Sequence, residues 1–156
     1  PIQEAAELVE LEMRRGGGEL EVELPDEPLM VTADRDHVKR VVLNLLRNAR
    51  EAGSRVRVRS TREDGQVVVS VIDDGPGVPG DLRGRIFEPF VTDKEQGAGL
   101  GLAIVERLAE ANGGRIELAD GERTVGEGAE FRVYLQTAEE YPAPLPDEEP
   151  PEGDVT

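Results

Sequence analysis

Val67-Val68-Val69-Ser70-Val71-Ile72-Asp73-Asp74-Gly75-Pro76-Gly77 is the stretch whose reading decides the fold. Val67, Val69 and Val71 alternate as one face of a strand does. Val56 and Val58 alternate in the same way upstream, and Asp64-Gly65 lies between the two runs. That pattern predicts a β-hairpin. The second strand runs straight into Asp73, so a carboxylate stands at the end of an apolar strand and at the mouth of a Gly/Pro-rich loop. A carboxylate there is able to accept a hydrogen bond from an exocyclic amine such as that of adenine. Gly75 and Gly77 would let the backbone approach a flat ring closely. The plain alternative is a turn, which Asp-Gly and Pro-Gly both favour.

Upstream of the hairpin, Ala6, Leu8, Val9, Leu11 and Met13 are interleaved with glutamates, which predicts a helix over 3–14 ended by Gly16-Gly17-Gly18. Leu20, Val22 and Leu24 alternate with glutamates as a half-buried strand closed by Pro25, and Leu29 to Val31 reads as a second, short strand. Thr32 or Asp34 is placed to cap a helix that carries Val38, Val41, Val42, Leu45, Ala49 and Ala52 at helical spacing and stops at Gly53. Downstream, residues 74–99 have little periodicity, and a loop of that length in a compact domain is usually functional or disordered. Leu102, Val105, Leu108 and Ala109 predict a helix over Gly101–Ala111, followed by strands at Arg115–Ala119 and Glu130–Leu135. Hairpins with helices between them predict an α+β fold, one mixed sheet covered on one face by helices.

Composition narrows the function. The chain has 156 residues, the size of one domain, and aromatics make up only 3%, so aliphatic side chains must build the core. There are no cysteines and one histidine, which excludes disulfides, thiolate metal sites and multi-histidine sites. A formal net charge of −16 argues against a nucleic-acid surface. Residues 137–156 hold five prolines and no basic residue, an acidic tail expected to be disordered, which leaves 1–136 as the folded domain. No apolar run is long enough to span a membrane, and no signal peptide is present. The chain begins at Pro1 rather than Met, which suggests a fragment of a longer protein.

Three further signals accompany Asp73 in a fixed order. Asn44 and Asn48 stand one helical turn apart beside an apolar stripe, where amides have poor helix propensity. Their carbonyl oxygens suit a ligand such as a hydrated Mg²⁺ shared with phosphates; the alternative is a solvent-facing helix side. Phe87-Glu88-Pro89-Phe90 opens the long loop, its rings either hinging a lid or simply anchoring it to the core. Gly97, Gly99 and Gly101 precede a helix, so free backbone N–H groups and the helix dipole point at an anion, with Lys94 just before them. This is neither a P-loop nor the dinucleotide Gly-x-Gly-x-x-Gly pattern.

Taken together, the chain resembles the catalytic ATP-binding domain of bacterial sensor histidine kinases, within the GHKL group that shares the Bergerat fold. Leu43-Asn44-Leu45-Leu46-Arg47-Asn48-Ala49 resembles its N box, and Asp73-Asp74-Gly75-Pro76-Gly77-Val78 its G1 box. Ile86-Phe87-Glu88-Pro89-Phe90-Val91-Thr92 resembles the F box, and Gly97-Ala98-Gly99-Leu100-Gly101-Leu102 opens a stretch like the G2 box. The resemblance covers residues 3–136 and implies a two-layer α/β sandwich. Its mixed, mostly antiparallel sheet would lie under about three helices, with a long ATP lid. It implies that Asn48 binds Mg²⁺, that Asn44 supports the metal–phosphate region, and that Asp73 binds the adenine amine. Val78, Ile86 and Leu102 would wall the adenine pocket, while Lys94, Gly97, Gly99, Leu100 and Gly101 would handle phosphates.

Gyrase-like relatives carry a glutamate where this chain has Asn44. A general base must be titratable, so the resemblance implies phosphoryl transfer rather than ATP hydrolysis. Three positions depart from the family pattern. Glu51 stands where a basic residue is common, with Arg50 or Arg47 as substitutes, and Ala98 and Ala129 each stand where a threonine is common. The acceptor histidine of the family lies on a separate dimerising helical domain. His37 lacks the expected acidic neighbour and is expected to be an ordinary surface residue. The isolated domain is therefore expected to bind ATP or ADP as a monomer without autophosphorylating. In the intact system the phosphoryl group would pass to a response regulator. The domain would be cytoplasmic, its parent either free or anchored in the inner membrane. An anti-sigma-factor-type serine kinase and a non-catalytic nucleotide sensor are the competing readings.

Overall fold

The computed structural model describes residues 1–91, 101–119 and 128–138. Within them the elements run α1 (Ile2–Arg15), β1 (Glu19–Glu23), α2 (Arg35–Ala52), β2 (Arg55–Glu63), β3 (Gln66–Asp73), α3 (Gly101–Ala111), β4 (Arg115–Leu118) and β5 (Glu130–Gln136). The strands form one sheet in the order β1-β2-β3-β5-β4. The predicted hairpin is β2–β3. Asp64 (φ 49°) and Gly65 (φ 77°) are both left-handed, which matches the twist of antiparallel strands. β1 pairs with β2 in parallel, because α2 carries the chain across between them, and the remaining pairs are antiparallel. The predicted mixed, mostly antiparallel α+β architecture is therefore the one observed.

The register separates the two faces of the sheet. Val58, Val71 and Phe131 are aligned across β2, β3 and β5, and Val69 and Val133 follow two residues on. All are buried in a single cluster with Ala5, Val9 and Met13 of α1, Val42, Leu45 and Leu46 of α2, and Val105 and Ala109 of α3. Full burial of one such aliphatic side chain contributes about 2 kcal/mol. On the opposite face Val68, Ser70 and Tyr134 are buried at β3 and β5, while the β1–β2 edge is ionic. Glu19, Glu21 and Glu23 of β1 lie in register with Arg55, Arg57 and Arg59 of β2. Arg55 pairs with Glu19 at 3.7 Å, and Arg57 with Glu21 at 3.1 Å and Glu23 at 3.5 Å. Exposed pairs of this kind are worth at most about 1 kcal/mol each, so they keep that edge wet more than they hold the sheet together.

Asp34, not Thr32, caps α2, accepting from the backbone N–H groups of Asp36 (2.9 Å) and His37 (3.0 Å). Those bonds, His37's foremost, hold the Asp34 carboxyl below its ordinary pKa. Two expectations need correction. Leu29 to Val31 is not a strand: only Val31 forms a bridge, to Thr137. Pairing there is confined to that bridge and the backbone bonds flanking it, too short a run to make a strand. Val22 is exposed rather than half-buried, on β1 at the edge of the sheet. The backbone pairing of Met30 with Ala138, beside that bridge, reaches two residues past the expected domain boundary at 136. The acidic tail beyond lies outside the described residues.

Candidate functional site

The site is built on the end of β3 and the inner face of α2. Asp73 is 3% exposed, and its Oδ1 accepts from the backbone N–H of Gly75 at 2.8 Å and of Ala129 at 3.3 Å. Its own N–H donates to the Ala129 carbonyl (3.0 Å), and its carbonyl accepts from Gly128 N–H (2.7 Å). A buried carboxylate is costly unless hydrogen-bonded, and here one local backbone donor, Gly75, and one distant one, Ala129, hold it in one orientation. The packing around it admits no side chain. A Cβ at Gly128 would lie 2.5 Å from the Gly75 carbonyl oxygen and 2.7 Å from its nitrogen, and closer still to Asp73 Oδ1. A Cβ at Gly75 would lie 2.8 Å from the carbonyl carbon of Ala52, the last residue of α2.

That contact joins Asp73 to the asparagines. Asn44 and Asn48 are half-buried on α2, flanked by the buried Leu45, Leu46 and Ala49, and Asn48 is one turn before Ala52. The loop after Asp73 thus rests against the helix end nearest Asn48. Val78, Ile86 and Leu102 are partly buried and pack on the core cluster, and α3, which begins with Gly101 and Leu102, packs along α2. Gly77 takes a left-handed φ of 81° beside Gly128. Lys94, Gly97, Ala98, Gly99 and Leu100 lie outside the described residues.

The two phenylalanines of the loop have different fates. Phe87 packs edge-on against Phe131 of β5, with centroids 6.1 Å apart and an interplanar angle of 81°. Phe90 is 76% exposed at a left-handed φ of 67°. The core-anchor reading therefore fits Phe87 and fails for Phe90. Arg47 and Arg50 both turn to Glu12 of α1, at 3.1 and 3.3 Å, so neither is placed to stand in for a basic residue at Glu51. His37 is not an ordinary surface residue. It is half-buried, with Nδ1 3.0 Å from Asn112 Nδ2, while Asn112 also donates to the Leu108 carbonyl (2.7 Å) and accepts from Asp34 N–H (2.9 Å). Its role is to tie the start of α2 to the end of α3.

Sequence reasoning missed Asp74, Gly128 and Asn112. The signal for Gly128 was a glycine two residues ahead of a strand; Asp74 and Asn112 read as ordinary turn residues. A groove of about 650 Å³ opens on the β1–β2 side of Asp73, lined by Arg14, Leu20, Arg55 and Asp74 among others. It contains neither asparagine, and its arginines pair internally, Arg14 with Glu10 and Arg55 with Glu19. It is therefore not the candidate site. Among the described residues no cluster of three or more His, Asp or Glu groups is placed to hold a metal ion, and no helix is long and apolar enough to cross a membrane.

The candidate site is thus a buried, backbone-anchored acid at one strand end of an α/β sandwich, beside two half-buried amides on the adjoining helix. Residues 33–139 match the family described as histidine kinase-, DNA gyrase B- and HSP90-like ATPase. The nitrogen regulation protein NtrY of Azorhizobium caulinodans is 41% identical over 113 residues, 66% of this chain and 14% of that protein. The sensory histidine kinase/phosphatase NtrB of Rhodobacter capsulatus is 42% identical over 123 residues, 67% of this chain and 33% of that protein. The solved catalytic domain of histidine kinase ThkA superposes with a TM-score of 0.76 at 34% identity, covering 86% of this chain and 89% of that one. Full-length ShkA in complex with AMPPNP gives 0.75 at 35% identity, covering 88% of this chain and 29% of that one. The chain belongs to the histidine kinase-, DNA gyrase B- and HSP90-like ATPase family, as a catalytic domain of the sensor histidine kinase type. It spans from about a seventh to a third of the length of these curated relatives.

Proposed function

We propose that this domain binds Mg-ATP and donates the γ-phosphoryl group to a histidine on a separate helical phosphoacceptor domain. A response regulator would receive the phosphoryl group in turn, all on the cytoplasmic side. The observation that carries the reading is Asp73, buried and fixed by Gly75 and Ala129 at the point where its loop meets the end of α2. Asp73 accepts from the adenine amine, and Val78, Ile86 and Leu102 wall the ring. Gly75 and Gly77 let the backbone come close to it. Lys94, Gly97, Gly99, Leu100 and Gly101 hold the phosphates, the last at the N-terminus of α3.

The donor set fits a cation that arrives with its own ligands. Asn48 supplies one amide oxygen, Asn44 orients the phosphate side, and no carboxylate cage competes among the described residues. Mg²⁺ would neutralise phosphate charge when bound, which matters in a chain of net charge −16. Asn44 does not titrate and so cannot activate water. The chemistry left to the protein is positioning and electrostatic stabilisation of a transferring phosphoryl group.

Asn48→Ala is expected to lower ATP affinity about tenfold in Mg²⁺ and to leave the residual affinity measured in EDTA unchanged. Calorimetric titration in both buffers checks this, and equal Mg²⁺ dependence in both proteins would remove Asn48 from the metal. Phe90, exposed beside the lid, suits contact with the apolar flank of the acceptor helices. Phe90→Ala is expected to slow phosphorylation of an added acceptor domain about tenfold, with ATP affinity unchanged. An unaltered transfer rate would exclude Phe90 from that contact.

A further inference from the structure

Asp74, next to the base-reading acid, points the other way. Its Oδ1 accepts from the backbone N–H of Ser54 at 2.9 Å and of Arg55 at 3.0 Å, and its Oδ2 is 3.3 Å from the Ser54 hydroxyl. Its own N–H donates to the Arg55 carbonyl at 3.2 Å. The side chain also fills the space over Gly53, where a Cβ would meet Asp74 Oδ1 and lie 2.9 Å from Gly75 N. These bonds, the Arg55 N–H foremost, hold the Asp74 carboxyl below its ordinary pKa.

The corner is mechanically simple. Helix α2 ends at Ala52, Gly53 turns the chain in an extended conformation, and β2 begins at Arg55. The first two N–H groups after the turn have no helical partner, and one carboxylate oxygen collects both. That same residue is the first after β3 and is covalently joined to Asp73 and Gly75. Asp74 therefore links the end of the helix bearing Asn44 and Asn48 to the loop bearing the base-reading acid.

We infer that Asp74 is a positioning residue, which sets the placement of Asp73 and Gly75 relative to α2 and so the fit of the adenine ring. This rests on the assignment of Asp73 to the base. A group that touches no ligand but orients one that does is expected to affect only the part of the ligand it orients. Removing the carboxylate frees the corner, while α2 itself stays anchored through the buried Leu45 and Leu46.

The test compares Mg-ATP with Mg-tripolyphosphate, which has the phosphates but no base, each displacing a fluorescent ATP analogue. Asp74→Ala is expected to weaken ATP about tenfold and tripolyphosphate less than twofold. Asp74→Asn keeps an oxygen acceptor for both N–H groups and is expected to bind ATP within about twofold of the parent chain. Asp74→Glu keeps the charge but is one methylene too long for the space over Gly53. It is expected to behave as D74A does, and supplies the answer if D74A does not fold. Unchanged ATP affinity in D74A and D74E, or equal weakening of both ligands, would overturn the inference. The two readings fail differently: if Asp73→Asn costs no ATP affinity the base assignment falls, whereas if it does and D74A does not, only the role of Asp74 falls.

Discussion

Asp73→Asn is expected to bind ATP about 100-fold more weakly than the parent chain while melting at nearly the same temperature. The substitution is isosteric. An amide oxygen can still accept from Gly75 N–H and Ala129 N–H, at 2.8 and 3.3 Å in the parent, so the local fold keeps its bonds. What changes is the face offered to the base. An amide presents N–H groups where the carboxylate presents an acceptor, and an exocyclic amine facing them has no partner. Losing a charge-assisted hydrogen bond and leaving a buried donor unsatisfied together cost about 3 kcal/mol, or about 100-fold in affinity. Titration calorimetry with ATP, alongside a thermal melt, reads both quantities. Wild-type affinity would mean that Asp73 does not read the base.

Gly128→Ala is expected to damage both binding and stability, and this contrast separates it from the Asp73 variant. The added methyl falls 2.5 Å from the Gly75 carbonyl oxygen and 2.7 Å from its nitrogen, and still closer to the Asp73 carboxylate. The Gly75 atoms are backbone, and the Asp73 carboxylate is itself held by backbone N–H groups, so backbone must move. Overpacking of this kind costs about 2 kcal/mol, a drop in Tm of roughly 5 °C or more for a chain of this size. Displacing Gly75 and Asp73 together is also expected to weaken ATP binding at least about tenfold. Thermal melts with and without saturating Mg-ATP check it. An unshifted Tm would show that the backbone at Gly128 has room the packing does not predict.

How much was legible in advance follows from the range of each interaction. The Val67–Val71 alternation and the Asp64-Gly65 turn are local, and β2 and β3 appear where they predict. The helical spacing from Val38 to Ala52 and the Asp34 cap are local too, and α2 has those ends. The Leu29–Val31 segment has strand-forming residues but meets the chain only just past the end of β5, at a single bridge, and pairing is not a property of one segment. Chemical type was legible for Asp73 and Asn48, since residue identity at a motif position is visible. Orientation was not, and so Phe87 and Phe90 looked alike in sequence, yet Phe87 is half-buried against the core and Phe90 is exposed.

Sequence alone determined the alternating runs, the caps and the ordered chemical signals, because each depends on residues within a turn or a strand length of one another. From those came the fold class and the family resemblance. The tertiary structure decided everything that joins distant segments. It set β1 parallel to β2, turned Arg47 and Arg50 toward Glu12, and bonded His37 to Asn112 across 75 positions. It also separated two adjacent aspartates: Asp73 bonds forward to a residue 56 positions away, and Asp74 back to one 20 away. The opening stretch shows both acids at the end of a strand, but only packing brings the start of β2 to Asp74 and Ala129 to Asp73, because those partners are distant in sequence.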